Sequence, residues 1–351
     1  MVFVGSFNWD KNEEGIYIFE LDSITGTLTK TSSVKGILNP SFLTLSTNGN
    51  FLYACTDSKT PNAGSISSFK FDIKNKKLSY INSQKTDGEN PVYVSVHNNR
   101  KWLLNANYTE SSISIFPIVE DGSIATHVQH FQFSEGSIDK KRQQKSHLHS
   151  AVFSPNFDYA FFTDLGADKI RIFKFENENP KPLQPTEIPE IKSTLGSGPR
   201  HLTFHPNGKF VYCIEEMGGS ISAYKFENSK FENIQNIATH NKRYKKDFDN
   251  SDIHISQDGK FLYASNRGKE NNIAIFSILE DGRLENIGYQ RTKGKHPRTF
   301  AMDESGKFLI VANTQTSNLS VFRRDSKTGL LKFLNKDTKI KNASHVIIKK
   351  Y

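Results

Sequence analysis

Residues 198–216 read GPRHLTFHPNGKFVYCIEE, two short runs of alternating apolar and polar residues on either side of Asn207-Gly208. Alternation over His201 to Phe204 and again over Phe210 to Ile214 predicts two antiparallel strands joined by a tight Asn-Gly turn. In such a pair the first strand begins beside the end of the second. Arg200 and Glu216 are therefore expected at one edge of whatever the hairpin builds.

The stretch recurs. Positions equivalent to Pro199 are Pro40, Pro91, Leu148, Asn250 and Pro297, and the six anchors follow one another at intervals of 51, 57, 51, 51 and 47 residues. Each leads into a short apolar strand and a polar turn (Asn48-Gly49, Asn98-Asn99, Asn156-Phe157, Asp258-Gly259, Ser305-Gly306), then a second strand opening on an aromatic residue. A Ser-Ile-Ser-like third strand, as in Ser65 to Phe71 and Ser220 to Phe226, and a weaker fourth complete the unit. A period near fifty with four strands per unit is that of a propeller blade. The chain ends supply one more blade: Met1 to Phe7, Gly15 to Leu21 and Leu28 to Val34 read as its second, third and fourth strands, and Ser344 to Ile348 as its first. The expectation is an all-β chain in which residues 1–351 form one seven-bladed β-propeller domain of four-stranded blades. The C-terminal strand closes the ring by joining the N-terminal blade, which leaves no open sheet edge between blades.

Composition agrees and excludes several classes. The chain has 27 Phe and 12 Tyr but only 3 Met, which favours strands. No apolar run is long enough to span a membrane, and the opening residues read as a strand rather than a signal peptide, so a cytoplasmic protein without membrane contact is expected. Cys55 and Cys213 fall three repeats apart and are not expected to pair. The net charge of +9 is spread over lysines in nearly every turn, which describes a solvated surface rather than a nucleic-acid groove. Such an excess can still gather a small anion. A monomer or weak homo-oligomer is expected.

In a propeller, the loops leading into the inner strands and those leaving the second strands share one rim of the channel. The residues just after the anchors are Ser41, Val92, His149, Arg200, Ser251 and Arg298; those ending the second strands are Phe7, Asp57, Tyr108, Leu165, Glu216, Arg267 and Thr314. A purely structural repeat would carry similar residues at equivalent places. His149, Arg200, Glu216 and Arg267 instead gather in three successive blades, the pattern of a site grafted onto a symmetric scaffold. His147 and His149 share a strand face and could hold a metal, but no Cys or Asp cluster completes such a site, and neither metal nor cofactor is expected. The arginines have a bland reading too, as ion-pair partners of Glu215, Glu216 and Asp252. Being always protonated they cannot act as general bases, and their remaining roles are to hold an anion or stabilise a developing one. Basic runs at Lys140, Lys141, Arg142 and Lys145 and at Lys242, Arg243, Lys245 and Lys246 flank this rim, with Arg142 the one expected to reach in.

The segments SHLHSAVFSP (146–155), DLGADKIRIFKF (164–175), GPRHLTFHPNGKFVY (198–212) and IHISQDGKFLYASNRG (253–268) resemble the lactonase-type seven-bladed propellers. That family includes bacterial 6-phosphogluconolactonase and the fungal 3-carboxy-cis,cis-muconate lactonizing enzyme. The resemblance covers nearly the whole chain. It implies hydrolysis of a small anionic sugar lactone at His149, Arg200, Glu216 and Arg267, with Arg142, His147, Glu215 and Arg298 as substrate-binding residues. In this reading His149 is the base, Glu216 orients it or accepts from a substrate hydroxyl, Arg200 faces the oxyanion and Arg267 the phosphate. Two departures stand out: Ser146 replaces a frequent proline, and Glu215 a common asparagine. The same four residues would serve a cofactor-free lactonizing enzyme of the carboxymuconate type, and a non-catalytic interaction propeller would leave them structural.

Overall fold

The computed structural model describes residues 1–227 and 230–351, the stretch 335–337 through its backbone. Every regular element is a strand, and the strands assemble into seven antiparallel sheets. Counting the split blade as blade one, its strands run Ala343–Ile348, Val2–Ser6, Ile16–Leu21 and Leu28–Val34 from the channel outward. The first strands of blades two to seven are Phe42–Leu45, Pro91–Val96, Leu148–Phe153, Pro199–Phe204, Asn250–Ile255 and Pro297–Met302. Together with Ala343–Ile348 they touch one another in a closed cycle, which makes them the wall of a central channel.

The closure follows the sequence expectation. Val2 pairs with Ile348 and Gly5 with His345, the terminal amine of Met1 donates to the Lys349 carbonyl at 2.7 Å, and the Tyr351 hydroxyl donates to the Gly49 carbonyl at 2.7 Å. The end of the chain thus ties blade one to blade two. Second strands such as Phe210–Glu215, Phe261–Asn266 and Phe308–Asn313 are buried along their whole length, because each is covered on both faces by neighbouring blades. One apolar cluster fills each interface between adjacent blades. Outer strands, with one face in water, alternate exposed and half-buried positions, as in Lys77–Lys85.

Two local differences have simple causes. The blade-three turn is counted from His97, whose carbonyl accepts from the Arg100 amide at 2.9 Å, so the left-handed position falls on Arg100 (φ 61°) rather than within Asn98-Asn99. Gly208 (φ 72°) holds the equivalent place in blade five, where glycine takes the conformation without strain. In blade four the outer strand is broken into Leu183–Gln184 and Glu190–Lys192, both paired with the third strand. Pro182, Pro185 and Pro189 lie in or beside these pieces and have no N–H to offer a ladder.

Candidate active site

In blades three, four, five and seven the inner strand is bulged at the residue that follows the anchor. Register breaks between Leu148 and Ser150, Pro199 and His201, and Pro297 and Thr299 leave His149, Arg200 and Arg298 without partners on the second strand. The same break falls at Val92 in blade three. A bulge bends the strand and re-aims the extra residue, and here the fold turns those side chains toward one mouth of the channel. The second strands finish beside them. The Glu216 amide donates to the Gly198 carbonyl and the Arg267 amide to the Asp249 carbonyl, each at 2.8 Å.

Glu216 is the centre of the cluster. Its Oε2 accepts from Arg200 Nε at 2.8 Å and lies 2.8 Å from an Arg267 terminal nitrogen, while Oε1 accepts from Arg142 at 2.6 Å. Burial opposes its ionisation, but the charges of Arg267, Arg200 and Arg142 outweigh burial and hold its pKa far below the usual carboxylate range. It is a fixed anion and a poor base. Arg267 also meets Asp249 at 2.5 Å.

Arg200 lies behind this anion, 1% exposed. One terminal nitrogen donates to the Ser251 carbonyl at 2.7 Å and approaches His201 Nε2 at 3.2 Å. Since a guanidinium can only donate, Nε2 accepts and the His201 proton sits on Nδ1, which donates to Asp252 Oδ1 at 2.8 Å. Burial and then the charge of Arg200 bring the His201 pKa down to about 4, in keeping with that neutral tautomer. Asp252 Oδ2 pairs in turn with His254 Nε2 at 3.0 Å. A continuous polar chain therefore crosses the channel, from Arg142 at one mouth to His254 in a 470 Å³ cavity at the other. Arg200, expected at the oxyanion, does not line the upper cavity; its fully buried guanidinium is held on three sides by protein.

The upper cavity has a volume of 170 Å³, and His149, Glu216, Arg142, Arg267, Arg298, Tyr108, Phe7 and Lys59 line it. His149 is buried, its Nδ1 has no hydrogen-bond partner, and its ring packs against Tyr108 and His201 with centroids 5.5 and 5.3 Å away. Burial, with Arg200, His201 and Arg298 nearby, holds its pKa well below the usual imidazole range, so the ring is neutral. Glu216 does not orient it, because both carboxylate oxygens are taken by guanidinium groups.

The remaining expectations divide. Arg142 reaches in, and the other lysines of its run stay exposed. His147 stacks on Tyr108 at 4.5 Å and bonds the Tyr108 carbonyl through Nδ1, away from the cavity. Glu215 is turned to the opposite face of its strand, where Ser222 and Ser220 donate to it at 2.7 and 2.5 Å; alternation along the strand separates it from Glu216. Arg298 lines the cavity as expected. Sequence reasoning missed Lys59, in the loop that joins the second and third strands of blade two, and Asp249, which sits one place before the anchor Asn250 and could have been found by comparing that position across the repeat. Among the described residues no group of three or more His, Cys, Asp or Glu side chains gathers as a metal site. No helix there is long and apolar enough to cross a membrane.

Comparison with known proteins agrees with this architecture. A family model described as a lactonase, 7-bladed beta-propeller, matches residues 1–348. A 6-phosphogluconolactonase of Formosa agariphila is 42% identical over 347 residues, covering 98% of each chain. A 6-phosphogluconolactonase of Bacillus subtilis is 32% identical, covering 95% of this chain and 93% of its own. Among solved structures, the periplasmic gluconolactonase of Pseudomonas aeruginosa superposes with a TM-score of 0.93 at 29% identity, over 99% of this chain and 98% of that one.

Proposed function

Because the chain belongs to the lactonase family of seven-bladed β-propellers, we propose that it hydrolyses a sugar lactone, with 6-phosphogluconolactone as the substrate. The observation that carries the reading is His149: a neutral imidazole on the wall of a cavity whose other ionised groups are mostly cations. Its weak basicity suits an ester that already hydrolyses with moderate ease.

In this mechanism His149 takes a proton from water as the hydroxide oxygen bonds to the lactone carbonyl carbon. The carbonyl oxygen becomes an oxyanion, met by N–H groups of Arg267 and Arg142 at the mouth. Collapse of the tetrahedral intermediate breaks the bond to the ring oxygen, which receives the proton held by His149. The products are a free hydroxyl and a carboxylic acid, which gives up its remaining proton to water to leave as the carboxylate. A positioned base contributes about 10² to 10⁴ in rate, and each oxyanion donor about 10² to 10³. Arg200 acts as a positioning residue that locks Glu216, and Glu216 in turn sets the planes of the two outer guanidiniums.

The buried free thiols of Cys55 and Cys213 suit a reducing cytoplasm. The test is direct: purified protein is given freshly made 6-phosphogluconolactone, and acid release is followed above the spontaneous rate. Turnover with saturation supports the reading, and a rate equal to the buffer control overturns it.

A further inference from the structure

The cations around the upper cavity fall into two sets. Arg142, Arg200 and Arg267 each have Glu216 as an ion-pair partner, and Arg267 has Asp249 as well. Arg298 and Lys59 have no carboxylate within ion-pair distance among the described residues, and no hydrogen bond from either side chain. What they share is Phe7. The Arg298 guanidinium carbon lies 5.3 Å and the Lys59 ammonium 3.8 Å from the centroid of that ring, which is itself buried.

We propose that Lys59 and Arg298, set against Phe7, form the seat for a phosphate monoester dianion carried by the substrate. This rests on the lactonase reading and deepens it, since it names the feature that selects a phosphorylated lactone. It moves the phosphate from Arg267, the residue expected from the sequence, onto two cations that have no ion-pair partner among the described residues.

Three considerations carry the assignment. Two like charges beside one apolar ring repel each other in a poorly screened site, and an anion between them removes the repulsion. A phosphate monoester is close to a dianion at neutral pH, so it calls for cations free of acidic partners, whereas a singly charged oxyanion is served by guanidiniums already fixed on Glu216. The backbone also holds Lys59 in place. It is a non-glycine residue in the left-handed region (φ 57°), and its amide donates to Asn90 Oδ1 at 3.1 Å.

The experiment has a binding arm and a kinetic arm. Calorimetry at fixed ionic strength compares 6-phosphogluconate, gluconate and inorganic phosphate on the wild type, Lys59→Met, Arg298→Gln and Lys59→Arg. The wild type is expected to bind 6-phosphogluconate at least tenfold more tightly than gluconate. Lys59→Met and Arg298→Gln should each reduce that preference about tenfold, and Lys59→Arg should keep most of it. In kinetics, the ratio of kcat/KM for phosphorylated over unphosphorylated lactone should fall by a similar factor. An unchanged preference in both variants, or equal losses for gluconate and 6-phosphogluconate, overturns the seat. Inorganic phosphate binding tighter than 6-phosphogluconate would mean that the seat takes the free ion and not a substrate group, and also counts against the proposal. If the wild type turns over neither lactone the lactonase reading fails, and the binding arm still decides the seat by itself.

Discussion

Arg200 and Glu216 begin and end the two strands of one hairpin and meet at its edge, Nε to Oε2 at 2.8 Å, the arginine almost wholly buried and the carboxylate held by two further guanidiniums. The hairpin thereby converts a repeat into a site: one residue of the pair is a beam, the other an anchor for what faces the cavity.

Removing the beam should be costly. Arg200→Met leaves Glu216 and His201 short of a buried donor, and breaking a buried ion pair from one side costs roughly 3 to 5 kcal/mol. Arg142→Gln removes the partner that is half in water, where an ion pair is worth roughly 1 kcal/mol or less. Urea unfolding of both variants checks the contrast. Equal losses would show that burial does not separate the two roles.

Deleting residues 344–351 should abolish cooperative folding. The deletion removes nearly all of the inner strand of blade one, together with the Tyr351 tie to blade two, and exposes the edge of Val2–Ser6. Circular dichroism melts and light scattering read the outcome. A truncated chain that melts like the full one would contradict ring closure by this strand.

Acid should destabilise the protein before its carboxylates titrate. Burial and neighbouring cations bring His201 down to about 4, and burial brings His345 to about 3, from an ordinary value near 6.5. Below about pH 6.5 the unfolded chain binds protons that the native state refuses, so stability falls with falling pH by up to about 1.4 kcal/mol per unit for each such histidine. His254, raised by Asp252, acts in the opposite sense, but its contribution is complete once the pH has fallen to about 6.5 and stays constant below it, so it does not offset the loss in this window. The depressed Glu216 contributes fully at neutral pH and is lost only in strong acid. Urea midpoints that stay flat between about pH 7 and pH 5 would contradict the neutral, buried assignment of His201 and His345.

Turnover should survive exhaustive chelation. His147, the other half of the His-x-His pair, has Nδ1 on the Tyr108 carbonyl and stands away from the cavity. Activity lost to a chelator and restored by zinc would remove His149 from the role of base and return it to that of a ligand.

The blade count, the closure and the Arg200–Glu216 meeting were legible because they depend only on period and strand direction. Arg142 was legible as a family feature beside a basic run. The division of labour among the arginines was not. Sequence put both Arg200 and Arg267 on the substrate, at the oxyanion and the phosphate, while the bulge at Arg200 and the packing of Ser251 and His201 sink one guanidinium behind Glu216 and leave the other at the cavity. Glu215 looked like a second acid at the substrate because adjacency in sequence hides the alternation that turns it to Ser220 and Ser222. Lys59 carried no signal in the repeat, since it lies beyond Asp57 in the loop from second to third strand, where the blades differ in length and sequence.

The pH dependence of kcat/KM for 6-phosphogluconolactone, measured for the wild type and His149→Gln, tests most directly whether His149 is the neutral base. The wild type should keep its activity below the ordinary imidazole pKa of about 6.5, because the buried ring stays unprotonated there, and the variant should lose about 10² to 10⁴ in kcat with its acid limb abolished. An acid limb at or above 6.5 that persists in the variant, with kcat within about twofold of the wild type, would contradict it.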